Sequence, residues 1–360
     1  MTKKIKLGLY GCGLYRTKEL VDAIKIGCPE SMEIVCGYDA NPQTLESAKN
    51  LYGFKPCLTL DEFLTCDFDV AMISLPPYLH PDAFEQCASS GKDIYLEKPV
   101  CVDDSGREKL RRTMSRHPDV RCYVGLSNRH ISPFRKVAEL LSRPEAGKII
   151  GVSHHWLSPC IGRNPIPQDK LGWRHRLDQS GGELNQHCCH LFDWFYWIGG
   201  EISSVIATAY TPKWSPLPHE ETELSACFTY ESGALATFNF SQHSHQYVQF
   251  GSVNTENFGI KYEWSANSYV KLYRNRPRAA EETWEWTADD LAVPGEDRNV
   301  RQIKEFSDAY LSGRPMPIGI EEGIRAYDMV SAIRRSCMEG RSIEIQGIFQ
   351  LEKGEKWKLN

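Results

Sequence analysis

The sequence predicts an α/β protein. A doubly wound, mostly parallel sheet of the Rossmann type comes first, and an α+β region with an open, mostly antiparallel sheet follows. Three observations carry this reading. Short apolar runs alternate with amphipathic helical segments over about the first 125 residues. A tight turn, Gly11-Cys12-Gly13, follows the first of those runs. From residue 201 to 290 the pattern changes to short alternating strands, separated by turn residues such as Glu231-Ser232-Gly233.

Taken in order, Ile5 to Tyr10 reads as strand one, and Thr17 to Ile26 as a helix with Leu20, Val21 and Ile24 at core spacing. Met32 to Tyr38 is strand two, ending at Asp39. Asn41-Pro42 opens a second helix, where proline suits the first turn. Pro56 to Leu60 reads as a short strand, with Asp61 as the cap of a short helix holding Phe63 and Leu64. Val70 to Leu75 is unbroken apolar sequence, the mark of a strand buried on both faces. Pro81 to Ser90 is helical, and Gly91 suits a left-handed stop. Ile94-Tyr95-Leu96 is then a short strand that ends in Glu97-Lys98-Pro99. A helix from Gly106 to Arg116 with a solvated basic face precedes a strand from Arg121 to Leu126. Beyond it come a long strand at 147–158, a cationic loop at 159–180, an aromatic-rich helix at 181–198, and helices at 297–312 and 320–339. The expected division is a dinucleotide-binding domain over 1–125 and a substrate-binding and oligomerisation domain over 126–360.

Composition agrees with two domains, because 360 residues exceed the roughly 250–300 at which single cores stop growing. A net charge of −5 without a block of one sign gives no reason to expect nucleic acid or an anionic membrane as partner. The first apolar run is too short for a signal peptide, and no segment reaches the length of a membrane span. The 13 cysteines are scattered and form no C-x-x-C pair, so they read as the reduced thiols of a cytoplasmic protein.

The glycine turn, with Leu14, Tyr15 and Arg16 after it, is placed to meet a pyrophosphate at a helix N-terminus. A full fingerprint has glycine or alanine where this chain has Arg16. Asp39 ends strand two, where a carboxylate accepts from the ribose hydroxyls and repels a 2′-phosphate. NAD is therefore favoured over NADP, although Arg16 is a residue that would welcome a phosphate. Asp39 also reads as a cap for the helix that follows it. Ser74, Leu75 and Pro76 lead the loop to His80 at the same sheet edge, where prolines stiffen the backbone over a ligand. His80 also reads as a simple cap for the next helix. Lys98 stands at a strand's carboxyl end, the edge at which open parallel sheets bind ligands.

Together these stretches resemble the Gfo/Idh/MocA family of NAD(P)-dependent oxidoreductases. The resemblance rests on Gly11-Cys12-Gly13, the loop from Pro76 to His80, Gly91-Lys92 and Glu97-Lys98-Pro99. It continues through Asn128-Arg129, Trp173-Arg174, Gly181-Gly182 with His190 and Asp193, and the helix from Glu321. It implies oxidation or reduction at a hydroxyl-bearing carbon of a sugar, cyclitol or glycoside. It also implies a homodimer or homotetramer formed through the C-terminal sheet, with the nicotinamide between the domains. Lys98 and His190 become the catalytic pair by resemblance, with Glu97, Asn128, Trp173 and Arg174 beside the cofactor, and His155, Arg174, Gln186, His187 and His190 beside the substrate. Many members have aspartate four residues before the histidine, where this chain has Gln186. Glutamine takes no proton but holds a hydroxyl by hydrogen bonds. The base is then His190 or Lys98, with His187 as an outside candidate.

His187-Cys188-Cys189-His190 invites a zinc reading, but adjacent cysteines diverge on a helix and no second ligand cluster accompanies them, so no metal is expected. Arg163, Lys170, Arg174, His175 and Arg176 suit an acidic substrate, although a solvated loop with one structural arginine, Arg174 beside Trp173, is the plainer reading. Three activities fit the whole: an NAD-dependent dehydrogenase, a redox-neutral NAD-dependent glycosidase or epimerase working through a keto-sugar, and an NAD(H)-sensing protein without catalysis.

Overall fold

The computed structural model describes residues 4–13, 15–159, 172–215, 221–274 and 282–345. The chain forms two compact units. Unit one takes Met1–Arg135, Ile166–Trp194 and Asp289–Tyr327, and unit two takes Lys136–Pro165, Phe195–Ala288 and Asp328–Asn360. Each unit is thus assembled from three stretches of sequence.

In unit one, strands and helices alternate: β1 (Ile5–Tyr10), α1 (Arg16–Gly27), β2 (Met32–Tyr38), α2 (Pro42–Tyr52), β3 (Lys55–Pro56), α3 (Leu60–Leu64), β4 (Val70–Ile73), α4 (His80–Ser89), β5 (Asp93–Leu96), α5 (Asp104–Arg116) and β6 (Cys122–Val124). The six strands are all parallel, in the order β3-β2-β1-β4-β5-β6. Strand order reverses between β1 and β4, and the carboxyl ends at such a switch point form the ligand edge of an open α/β sheet. β4 is buried along its whole length, as its apolar run requires.

Several boundaries differ from the expected ones. β3 spans only Lys55–Pro56. Thr59, not Asp61, caps α3, its hydroxyl accepting the Glu62 amide at 3.2 Å. Asp61 falls inside the first turn, where a carboxylate favours the helix dipole. α5 starts at Asp104 because Asp103 accepts the Gly106 amide at 2.7 Å. A helix over Ser132–Leu141 (α6) was not expected. The segment read as loop up to residue 180 contains one turn of helix at Trp173–His175 and a short helix at Leu177–Ser180 (α7). It precedes α8 (Gly182–Gly199), which is followed later by α9 (Ala288–Leu291), α10 (Arg298–Leu311) and α11 (Ile320–Glu339).

Inside unit one, the turn Ser127–His130 is tied to α8 by a buried two-point ion pair. Arg129 Nε donates to Asp193 Oδ2 at 2.8 Å and Nη2 donates to Oδ1 at 2.5 Å. Burial pushes the Asp193 carboxyl up, and Arg129 opposes that shift.

Unit two holds a nine-stranded sheet: β7 (Ile149–Leu157), β8 (Ile202–Tyr210), β9 (Glu223–Tyr230), β10 (Leu235–Ser241), β11 (Val248–Thr255), β12 (Gly259–Trp264), β13 (Tyr269–Arg274), β14 (Glu282–Trp286) and β15 (Ile343–Glu344). Its order is β14-β13-β12-β11-β7-β10-β9-β8-β15. Only β7 and β10 pair in parallel, so the sheet is mostly antiparallel. Residues alternate across it: Leu224, Ala226, Phe228 and Tyr230 of β9 are buried, while Ser225 and Cys227 are exposed. No described helix is long and apolar enough to cross a membrane.

Replacing Arg129 with alanine would leave Asp193 buried without its counter-charge. We expect a loss of about 3 kcal/mol of stability, read as a fall in the denaturant midpoint. An unchanged midpoint would show that the pair is not structural.

Candidate active site

The site lies at the carboxyl edge of the parallel sheet, within unit one. At the β1–α1 turn, Gly11 has φ +91°. A Cβ on it would lie 2.6 Å from the Ser74 carbonyl oxygen, so only glycine fits there. A Cβ on Gly13 would meet nothing within 4 Å, which leaves the outer side of the turn open. The Cys12 amide donates to Asp39 Oδ2 at 2.8 Å, and the Asn41 amide donates to Oδ1 at 2.8 Å. Asp39 thus braces the glycine turn as well as ending β2. Tyr15 precedes α1 and makes no side-chain cap, unlike Asn41, Thr59, Asp103 and Asp297 at α2, α3, α5 and α10. Leu14 lies outside the described residues, as do Arg163 and Lys170.

Arg16 faces inward. Its Nη2 lies 2.8 Å from Oε1 of buried Glu97, and its Nη1 donates to Glu19 and to Asn299, each at 2.9 Å. Burial disfavours the guanidinium charge, but Glu97, with Tyr95 and Glu19, outweighs it, so proton affinity rises. The Arg16 guanidinium, which the sequence suggested for a phosphate, is here held by Glu97. Arg16 is the counter-ion of a buried carboxylate, which accounts for arginine at the fingerprint position.

His80 is fully buried, with Nδ1 2.8 Å from Pro99 O and Nε2 2.9 Å from Leu75 O. It therefore links the loop after β4 to the loop after β5, and burial lowers its pKa. Ser74 continues the sheet by one bond, its amide donating to Tyr10 O at 2.9 Å, and Leu75 and Pro76 beyond it are half-buried.

Lys98 follows β5 and donates from Nζ to the backbone oxygen of Gln186 on α8 at 2.8 Å. Burial lowers its pKa, while Cys189 and Glu97 pull the other way. His190, one turn on from Gln186, is buried, and its Nδ1 has no hydrogen-bond partner among the described residues. Burial, then the charges of Lys98, Arg298 and Arg16, hold its pKa well below the ordinary value. Gln186 donates from its side chain to Arg174 O at 2.5 Å. The Arg174 guanidinium lies 4.6 Å from the Trp173 ring centre and 5.4 Å from that of Tyr15, which brings this segment to the glycine turn. His187 pairs with Glu183 at 3.1 Å.

Asn128 is buried in the turn Ser127–His130, and its carbonyl accepts the Ile131 amide at 3.1 Å. His155 belongs to unit two, where its ring stacks on Phe250 at 4.8 Å. It occupies the opposite face of β7 from buried His154 and Trp156. Arg176 is exposed just before α7. Two further residues belong to this neighbourhood, of which the sequence offered Cys189 only as a metal ligand and Arg298 not at all. Cys189 has a thiol that burial pushes up to about 11, and Arg298 opens α10. Nothing in the local pattern marks Arg298, which lies 200 positions beyond Lys98.

Two family profiles match the chain. An oxidoreductase family with an NAD-binding Rossmann fold matches residues 5–126, and the GFO/IDH/MocA C-terminal domain matches residues 134–259. The chain belongs to the GFO/IDH/MocA oxidoreductase family. The uncharacterized oxidoreductase YrbE of Bacillus subtilis (strain 168) is 23% identical over 368 residues, 96% of this chain and 98% of that protein. Inositol 2-dehydrogenase of Rhizobium meliloti (strain 1021) is 27% identical over 211 residues, 57% of this chain and 58% of that protein. Among solved structures, a levoglucosan dehydrogenase in complex with NADH has a TM-score of 0.83 at 15% identity, covering 96% of this chain and 100% of that one. That last likeness is one of fold.

Unit one of this GFO/IDH/MocA protein carries an NAD-binding Rossmann domain, and its residues fit the nucleotide. Open space beside Gly13, and an α1 N-terminus without a side-chain cap, leave room and amide donors for a pyrophosphate. Asp39 directly follows β2 at the same edge.

The His190 shift has a consequence for stability. The unfolded chain regains the ordinary histidine pKa of about 6.5, whereas the folded site resists protonation. Stability is therefore full above that pH and falls below it, by up to about 1.4 kcal/mol per pH unit for this one group. His80 adds to the slope with the same sign. Denaturation of His190→Asn between pH 7.5 and 5, roughly one unit either side of the ordinary value, should give a shallower slope than the parent. Equal slopes would mean that His190 is protonated in the folded chain.

Proposed function

We propose that this protein moves a hydride between NAD and a hydroxyl-bearing carbon of a sugar, cyclitol or glycoside. The observation that carries the reading is the placement of Lys98 Nζ, 2.8 Å from Gln186 O at the sheet edge that holds the glycine turn. Bound NAD supplies the hydride acceptor. The chain's own part is proton transfer and orientation. Oxidation of a carbinol requires loss of its hydroxyl proton, and the accepting group must be neutral at the working pH. His190 meets that need, because its pKa is held low and its Nδ1 is buried without a partner among the described residues. Lys98, with its pKa lowered by burial, polarises the oxygen and relays the proton. Gln186 positions: its backbone holds Lys98, and its side chain holds the Arg174 segment.

Asp39 at the ribose end favours NAD, and Arg16 is committed to Glu97 rather than to a 2′-phosphate. The substrate class draws support from relatives named for inositol and levoglucosan. We expect self-association through the open face of the nine-stranded sheet, where Ile206 and Leu235 are exposed on β8 and β10.

Lys98→Met should reduce turnover by at least about 100-fold while NAD affinity, read by calorimetry, changes little. Unchanged turnover would remove Lys98 from the chemistry. Mass spectrometry of nucleotide released on denaturation separates two modes of use. NAD(H) retained at one per chain would point to a redox-neutral reaction on glycosides. An empty protein that binds added NAD and forms NADH with polyols would support the dehydrogenase.

A further inference from the structure

Cys36, Cys57 and Cys66 take no part in the site above, yet three separate elements bring them together. Cys36 lies on β2. Cys57 follows β3, its amide donating to Gly37 O at 2.8 Å. Cys66 sits in the turn after α3, its amide donating to Phe63 O at 3.0 Å. The three sulphur atoms all lie within 4.8 Å of one another. Cys36 and Cys57 are buried, and Cys66 is half-buried, so the cluster has one side toward solvent. All three are free thiols.

The surroundings favour a soft ion. Buried Phe63 and Phe68 pack at 4.8 Å beside the turn that carries Cys66. Lys92 Nζ donates to Cys66 O at 2.9 Å and to Phe68 O at 3.0 Å, which sets a cation beside the same turn. Lys55 opposes the rise that burial causes in the Cys57 thiol. Among the described residues no histidine or carboxylate joins the three sulphurs. Zinc in structural sites takes four ligands, whereas Cu(I) accepts three thiolates as a complete shell.

We propose that Cys36, Cys57 and Cys66 form a three-sulphur site for Cu(I). A metal–sulphur bond of about 2.3 Å requires the sulphurs to stand roughly 4 Å apart, so closure asks for side-chain adjustment of under about 1 Å. Binding forms three Cu–S bonds and breaks three S–H bonds. The three protons pass to solvent, and copper stays Cu(I) throughout. Affinity therefore rises with pH.

The test uses the full chain, reduced, freed of metal and handled without oxygen. Cu(I) is offered in competition with a chromogenic bicinchoninate chelator. One Cu(I) per chain, an ultraviolet thiolate-to-copper band and three sulphur scatterers by X-ray absorption are expected. Cys66→Ser should weaken binding by at least about tenfold. Cys227→Ser, at an exposed cysteine of unit two, should leave it unchanged. Cys66→Ala is prepared alongside, and binding is read on whichever variant melts as the parent does. Failure to take copper from the chelator would overturn the proposal. So would binding that both Cys66 variants leave intact, or one Zn²⁺ per chain in place of copper.

Discussion

The buried pair between Arg16 and Glu97 is the interaction on which the candidate site depends. A carboxylate without water is tolerated only when a counter-charge and hydrogen bonds replace its hydration. Glu97 directly follows β5, one residue before Lys98, and Arg16 opens α1 just beyond the glycine turn. Their 2.8 Å contact therefore joins the part of the edge that would hold the nucleotide to the part that would do chemistry. The pair also constrains the residue after β6: a Cβ on Gly125 would lie 2.7 Å from Glu97 Oε1. Glycine at that position is a requirement of the carboxylate, not of the turn.

Around this pair the charges are mostly positive. Burial disfavours a proton on His190, and Lys98, Arg298 and Arg16 add to it. Lys98 is in the reverse situation. It loses proton affinity chiefly by burial, and Glu97 and Cys189 limit that loss. The result is a histidine kept neutral beside a lysine that gives up its proton more easily than it would in water. Neither condition needs the aspartate that many relatives carry, because Gln186 contributes through its backbone oxygen and through a bond to Arg174.

Local chemistry made much of this legible in the sequence. The unbroken apolar run of β4, the glycine turn and the Asn41-Pro42 helix start depend on neighbours in the chain, and each was readable there. Contacts between distant stretches were not. Arg16 read as a phosphate ligand because its partner lies 81 positions away, at Glu97. His80 read as a helix cap or a cofactor contact, whereas its two nitrogens face Leu75 and Pro99 carbonyls. Asp61 read as a cap because a helix boundary shifts by two residues at little energetic cost. The three clustered cysteines lack any spacing motif, since strand pairing and a short helix gather them.

The discontinuity of unit one has a bearing on how the chain acquires its structure during synthesis. Arg121, next to β6, donates to the carbonyls of Ala309, Tyr310 and Arg314, and Tyr95 on β5 meets Gln302 of α10. The N-terminal sheet therefore waits for the first two stretches of unit two to leave the ribosome before α10 arrives. Until then the β5–β6 edge and the Arg16 end of α1 lack their final partners. Contacts of such long sequence separation slow folding through the entropy of closing the chain. An isolated piece ending at residue 125 would keep all six parallel strands and lose Asn299, Gln302 and the three carbonyls that hold Arg121.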